Sequence, residues 1–266
     1  MNLHDARILL TGAAGGIGQA LARELASRGA RLALVDRNGE ALEALATALN
    51  DTPGAAFPVA ADLLDPAGRE GAVAAAREEL GGLDCLVNLA GLLSFRPFEE
   101  EEEAVIERIV QLNTVVPMLL TRACLGAMVA QGSGLVVNVG STFGSIGFAY
   151  FATYSASKGA MRAFSEALRR ELADTGVRVA YIAPRAVRTP LNTGPVMRMA
   201  AAVKMNMDEP DQVANQIAAA MAKGRDEVYL GFPESLFVRI NALFPRLVDR
   251  ALRKQNRTMA PFAREG

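Results

Sequence analysis

The chain has 266 residues, 51% of them apolar, and a formal net charge of −1, which excludes a nucleic-acid partner held by a general basic field. Its single histidine, His4, excludes a histidine-based triad or a multi-histidine metal site elsewhere. Its two cysteines, Cys85 and Cys124, read as buried free thiols rather than as a disulfide or metal pair.

The first strand is expected at 6–10, followed by Thr11-Gly12-Ala13-Ala14-Gly15-Gly16-Ile17-Gly18 and a helix at 16–28. Glycines in such a turn let the backbone approach a pyrophosphate, and the helix N-terminus offers free N–H groups to the anion. A glycine-rich turn alone is a weak signal; a strand before it and a helix after it supply the context it requires. A second strand at 31–35 leads to Asp36, eighteen residues beyond Gly18. An acid there accepts hydrogen bonds from both adenosine ribose hydroxyls and repels a 2′-phosphate, which favours NAD(H). Arg37 follows, and a guanidinium could instead pair with that phosphate, so NADP(H) stays open.

Further strands are expected at 56–60, 85–88, 135–139, 177–182 and 227–230, with helices at 40–49, 67–80, 101–130, 152–173 and 210–222. Five acids at 99–103 read as the solvated opening of a helix, where negative charge suits the dipole. This alternation predicts an α/β fold: a doubly wound, Rossmann-type parallel sheet of about seven strands with helices on both faces. No composition shift marks a second domain, so 1–266 reads as one catalytic domain, its core at about 5–231. No N-terminal apolar leader, membrane-span stretch or lipidation motif is evident, and a cytoplasmic protein is expected.

The tail at about 232–266 places Leu236, Phe237, Ile240, Leu243, Phe244, Leu247, Val248 and Leu252 at helical spacing, with Arg239, Arg246, Arg250, Arg253, Lys254 and Arg257 mainly between them. Pro245 should kink or split the helix. The segment reads as an amphipathic helical extension packed on its own domain or a second subunit. A membrane-surface helix is the alternative.

Tyr154 and Lys158 stand four apart and share one helix face. A free phenol titrates near ~10, and a neighbouring ammonium and a positive nicotinamide ring both favour phenolate. By itself the spacing also fits a packed tyrosine beside a solvated lysine. The surrounding motifs narrow it. In order they are Thr11-Gly12-x-x-x-Gly16-Ile17-Gly18, Asp62, Asn88-Leu89-Ala90-Gly91, Asn113, Ser141, Tyr154-x-x-x-Lys158, Pro184 and Thr189. With them the chain resembles the short-chain dehydrogenase/reductase family over roughly residues 5–231.

The resemblance implies a role for each position. Ser141 would orient the substrate oxygen, Tyr154 would handle the proton, Lys158 would lower the Tyr154 pKa and hold the nicotinamide ribose, and Asn113 would hold a water linking Lys158 to solvent. Gly12, Ala14, Gly15, Gly16, Ile17 and Gly18 would carry the pyrophosphate, with Asp36 and Arg37 at the adenosine ribose. Asp62 and Leu63 would flank adenine, and Asn88, Ala90 and Gly91 would close the cleft. Pro184, Val187 and Thr189 would border the nicotinamide, Thr189 holding its carboxamide. Two positions depart from the family pattern: Leu89 replaces a mostly structural Asn, and Arg185 replaces Gly.

On the substrate side, Met197, Met199, Met205 and Met207 offer a soft apolar wall, and Phe143, Ile146, Phe148 and Phe151 add bulk. Ordinary core packing accounts for some of them; together they favour a lipophilic substrate. Arg185 would fix an anionic substrate group, or else pair with a surface acid. The leading expectation is an NAD(H)-linked dehydrogenase or reductase acting on a lipophilic alcohol or ketone. Alternatives are an NADPH-linked oxoacyl reductase and a cofactor-binding regulator that has lost its chemistry. A homodimer or homotetramer built on helices 101–130 and 152–173 is expected.

Overall fold

The computed structural model describes residues 1–192 and 194–265; Thr193, in the expected lid segment, and Gly266 lie outside the described residues. Seven strands, β1 Arg7–Thr11, β2 Arg31–Asp36, β3 Ala55–Ala60, β4 Cys85–Asn88, β5 Gly134–Val139, β6 Val177–Ala183 and β7 Glu227–Tyr229, form one sheet. Its order is β3-β2-β1-β4-β5-β6-β7, and every pairing is parallel. Each strand lies within one residue of its expected bounds.

Successive residues of the central strands feed opposite layers, so both sheet faces are apolar. On one face, Leu10, Leu34 and Val137 pack against α1 Gly16–Ser27, α2 Gly39–Ala48 and α8 Pro210–Lys223. On the other, Leu9, Val35, Leu86 and Val136 pack against α3 Pro66–Leu80, α5 Val116–Gln131 and α6 Ala152–Glu171. Cys85 belongs to the first layer and Cys124 to the second, both as free thiols. The winding reverses between β1 and β4, which leaves a crevice at their C-terminal ends.

Local sequence sets the helix starts. The Asp65 carboxylate accepts from the Ala67 and Gly68 N–H groups, and Pro66, which has no N–H to satisfy, takes the first helical position of α3.

The helix expected at 101–130 is in fact broken. Glu99 and Glu100 lie in a 3₁₀ turn, and only Glu103 of the acidic run stands in the first turn of α4 Glu103–Val110. A π turn, Gln111–Val115, joins α4 to α5. Pro117 explains the break: it has no N–H for the Asn113 carbonyl four residues back, and its ring crowds that carbonyl. The Val116 N–H reaches back to Gln111 instead. The whole stretch Glu103–Gln131 is long and apolar enough to cross a membrane, a feature missed in the sequence. Its Leu120, Cys124 and Met128 side chains are packed into the second core layer.

The expected lid contains a short helix, α7 Gly194–Ala202. Pro245 splits the tail into α9 Glu234–Leu243 and α10 Pro245–Ala263. The far end of α10 packs on α7, where Met259 and Ala263 join Val196 and Met199 in a buried cluster. Packing on its own chain therefore describes that end of the tail. At the α9–α10 elbow, Phe232, Leu236, Phe237, Leu243, Phe244 and Leu247 remain exposed.

Candidate active site

A cleft of about 380 Å³ runs along the C-terminal ends of the strands. Gly12, Ala14, Gly15, Gly16, Ile17, Gly18, Asp36, Arg37, Asp62, Leu63, Ala90, Gly91 and Thr189 all line it. Gly12 has φ +70°, and a Cβ there would come within 2.8 Å of the Ala90 backbone, so the floor of the cleft admits no side chain. No side chain caps α1, whose N-terminus faces this space with its first N–H groups unsatisfied by a cap. The Thr11 hydroxyl accepts from the Leu89 and Ala90 N–H groups at 3.0 and 3.2 Å and donates to Val87 O, which pins the loop after β4 to β1. The residues present fit a dinucleotide: a glycine floor, an uncapped helix start and an acid at the ribose end.

Asp36 is doubly held. Its carboxylate accepts from the Ala14 and Asn38 N–H groups, each at 3.2 Å. Asn88 is not at the cleft surface. It is buried behind it, where its side-chain amide donates to Asn138 Oδ1 at 2.8 Å and Thr121 Oγ1 at 3.3 Å. The expected cleft-closing contact is thus a structural one, made because Asn88 is the last residue of a buried strand. Leu64, Leu92, Arg108 and Leu112 also line the cleft without having been expected. Arg108 and Leu112 are brought there by α4 and the π turn, which the sequence pattern did not resolve.

A smaller cavity of about 120 Å³ adjoins the cleft, with Ile17, Leu89, Gly91, Thr189 and Leu191 lining both. Ser141, Tyr154, Lys158, Pro184 and Val187 all open onto it. Ser141 follows β5 and caps a 3₁₀ turn, its hydroxyl accepting from the Phe143 N–H at 3.2 Å. Tyr154 and Lys158 lie in the first two turns of α6. Asn113, in the π turn, is buried: its amide donates to Leu92 O and Ser157 Oγ at 2.8 and 3.0 Å, and its Oδ1 accepts from the Leu92 N–H at 2.8 Å. It braces the wall beside the site, one turn of α6 from Tyr154.

The expected lowering of Tyr154 by Lys158 is not seen. Burial raises the Tyr154 phenol above its ordinary value, and it is the Ser141 hydroxyl that opposes the rise. Lys158 Nζ stands 5.9 Å from the Tyr154 ring centroid and donates to Val139 O at 3.1 Å. Its own ammonium is pushed down by burial from 10.5 to about 8.

That shift makes a stability prediction. In the folded chain Lys158 gives up its proton near pH 8, and in the unfolded chain near 10.5. The cost of the buried charge, on the order of 3 kcal/mol, is therefore present in full below pH 8 and relieved as pH rises toward 10.5. Lys158→Met should melt roughly 3–5 °C above wild type at neutral pH, with the gap closing as the solution becomes alkaline. Thermal melts across that range check it; a variant less stable than wild type at neutral pH would refute it.

Two substrate-side expectations need correction. Arg185 lines the cavity, but its guanidinium is already paired. Nε and Nη2 donate to Asp208 at 3.0 and 2.6 Å, and Nη1 donates to Glu234 Oε2 at 2.9 Å and Phe232 O at 3.0 Å. Two of these bonds hold Asp208, just ahead of α8, and two reach the start of α9. The paired-acid alternative is the one realised, with acids that are largely buried. Met197 does not line the cavity either, because the turn of α7 presents Val196, Met199 and Ala200 instead; Met205 and Met207 do line it. Phe143 and Phe151 reach the cavity, whereas Phe148 stacks on Phe143 at 4.6 Å and lies behind it.

One residue of the site went unnoticed in the sequence. Tyr181, in β6 and fully buried, donates to Ser141 O at 3.2 Å, accepts from the Ser141 N–H at 3.4 Å and approaches Lys158 O at 3.5 Å. A tyrosine inside an apolar strand run gave only a packing signal; its hydroxyl needs a partner when buried, and Ser141 provides it.

Residues 6–197 match the short chain dehydrogenase family. Over 96% of its length the chain is 34% identical to dehydrogenase/reductase SDR family member 7B of Bos taurus, covering 82% of that protein. It is 32% identical to ketoacyl reductase HetN of Nostoc sp., covering 92% of this chain and 88% of that one. It also superposes with a TM-score of 0.79 on 3-ketoacyl-(acyl-carrier-protein) reductase from Brucella melitensis complexed with NADH, at 30% identity, covering 88% of this chain and 99% of that one.

Proposed function

Because this chain belongs to the short-chain dehydrogenase/reductase family, whose members interconvert CH–OH and C=O with NAD(P)(H), we propose that Ser141, Tyr154 and Lys158 are its catalytic groups and that its substrate is a lipophilic alcohol or ketone. The observation that carries this reading is the single small cavity onto which all three side chains open, contiguous with the dinucleotide-shaped cleft. The nicotinamide, when bound, supplies or takes the hydride. In reduction the Ser141 hydroxyl holds the carbonyl oxygen and the Tyr154 hydroxyl gives it a proton, so that the carbonyl gains one hydride and one proton. Oxidation runs the same transfers backward. Burial that keeps Tyr154 protonated suits the donating direction. Lys158 balances charge on the phenolate left behind. Leu93, Phe151, Val196 and Met199 make the remaining wall apolar, which supports a lipophilic substrate.

NAD(H) is the proposed cofactor, supported by the fixed Asp36 carboxylate at the ribose end of the cleft. Fluorescence titration should show NADH binding more tightly than NADPH. Asp36→Ala should weaken NADH about tenfold, the loss of charge-assisted hydrogen bonds, and narrow the preference. Tighter NADPH binding by wild type would assign the pocket to Arg37 instead.

A second reading, an oxoacyl substrate, is favoured by the similarity to two ketoacyl reductases. Assay of wild type on a panel of ketones, secondary alcohols and 3-oxoacyl thioesters decides between them. Cofactor binding without turnover of any of them would point to a non-catalytic regulator.

A further inference from the structure

Behind the catalytic cavity lies a second pocket of about 370 Å³, walled in part by α9 and α10. Phe143, Arg185, Ala186 and Met205 line both spaces, so the partition is one side chain thick. Met205 is part of that partition, and a methionine is unbranched and changes shape easily. The chamber wall is apolar on the side formed by Ile146, Phe148, Ile240, Val248 and Leu252. Its polar lining is Thr142, Lys204 and Gln255 together with the cluster Arg185, Glu234 and Asn206, in which Arg185 is already paired to Asp208 and Glu234, and Asn206 donates to Glu234 at 2.9 Å. The Arg185 cluster has little left to offer a charged ligand, and Lys204 is exposed to solvent. Phe237 and Leu247 line the chamber and also belong to the exposed apolar elbow, so the space continues outward into an apolar surface.

A largely apolar space beside a cavity of only about 120 Å³ offers room for the part of a substrate that the cavity cannot hold. We propose that the chamber receives the uncharged hydrocarbon tail of a substrate whose carbonyl or carbinol carbon stands at Tyr154. The substrate class is therefore a long-chain aliphatic ketone, alcohol or oxoacyl compound rather than a compact ring or a polyol. This rests on the proposed carbonyl chemistry but adds a site that the chemistry does not require. The tail extension thereby acquires a function: α9 and α10 supply the outer wall of a substrate channel, and the Arg185 tie holds that wall to β6.

The test uses the full chain with straight-chain methyl ketones from butanone to dodecanone. In wild type, kcat/KM should rise by about threefold to fourfold per added methylene, the value of burying one CH₂, until the chamber is filled. Ala251→Trp and Val248→Trp, both on α10 and lining the chamber, should flatten that rise. Ala251 is exposed, so its substitution does not disturb the core. Binding of dodecanone to the protein saturated with NAD+, a pair that cannot exchange a hydride, followed by calorimetry, reads the chamber without turnover and should weaken in both variants by at least tenfold. A flat chain-length series in wild type, or dodecanone binding unchanged in both variants, would overturn the proposal. Dodecanone binding that is tight in wild type and lost in the variants, with no ketone, alcohol or oxoacyl compound turned over, would support the chamber and sink the proposed function.

Discussion

Tyr154→Phe should lower kcat by about 10²–10⁴-fold, the usual contribution of a positioned proton donor, and leave NADH affinity within about a factor of two. Only the hydroxyl is lost. The ring keeps its edge-on contact with Phe143 at 6.3 Å, so the wall of the cavity is preserved. The hydroxyl serves the substrate oxygen, whereas the cleft that would hold the dinucleotide is built from the glycine loop and the β4 loop, neither of which contains Tyr154. Steady-state kinetics with saturating cofactor, together with an NADH titration, separate the two effects. Turnover within tenfold of wild type would remove Tyr154 from the proton transfer, whatever its position in the cavity.

Gly140→Ala should be nearly as damaging to activity and more damaging to the fold. A Cβ at Gly140 would fall 2.2 Å from the Tyr181 Cε2 and Cζ and 2.3 Å from its hydroxyl. Tyr181 cannot retreat, since its side chain is fully buried and its hydroxyl is held by the Ser141 backbone. Forcing one methyl group into such a site costs about 1–3 kcal/mol or more, and here the displaced group is the support beneath Ser141. Tyr181→Ala alone should cost about 3–5 kcal/mol by leaving a cavity. In the double variant the added methyl meets open space, so its penalty should shrink, with a coupling of about 1–3 kcal/mol between the two sites. Denaturant melts of the four proteins give this coupling directly. Additive penalties would mean that the clash is relieved by backbone movement and that Tyr181 does not set the place of Ser141.

The fold was legible in the sequence because a parallel sheet covered on both faces needs uninterrupted apolar strands, and runs such as 31–35 and 135–139 have no other use. The glycine loop and the Tyr154 to Lys158 spacing were legible for a different reason: each is local, fixed by a turn or by one helix face. What escaped depends on tertiary geometry. The π turn at Gln111–Val115 follows from Pro117, a single residue within a continuous helical pattern. The fate of Arg185 was decided by Asp208 and Glu234, which are 23 and 49 residues away in the chain. The orientation of Met197 depended on a short helix that sets in at Gly194. The Tyr181 hydroxyl had no sequence signal at all, because its partner is the Ser141 backbone in the turn after β5.

The placement of the two cysteines gives this chain a pair of internal reporters. Cys85 sits in the layer beneath α1 and α8, and Cys124 in the layer beneath α3 and α6. Burial raises both thiols, Cys124 to about 11 and Cys85 further, so neither presents a thiolate to a reagent while the fold is closed. Each can be alkylated only when its own layer opens. Labelling rates read by mass spectrometry on single-cysteine variants would therefore time the two faces of the sheet separately. Equal rates would mark a sheet that comes apart as one cooperative unit, and unequal rates would identify which layer of helices peels away first.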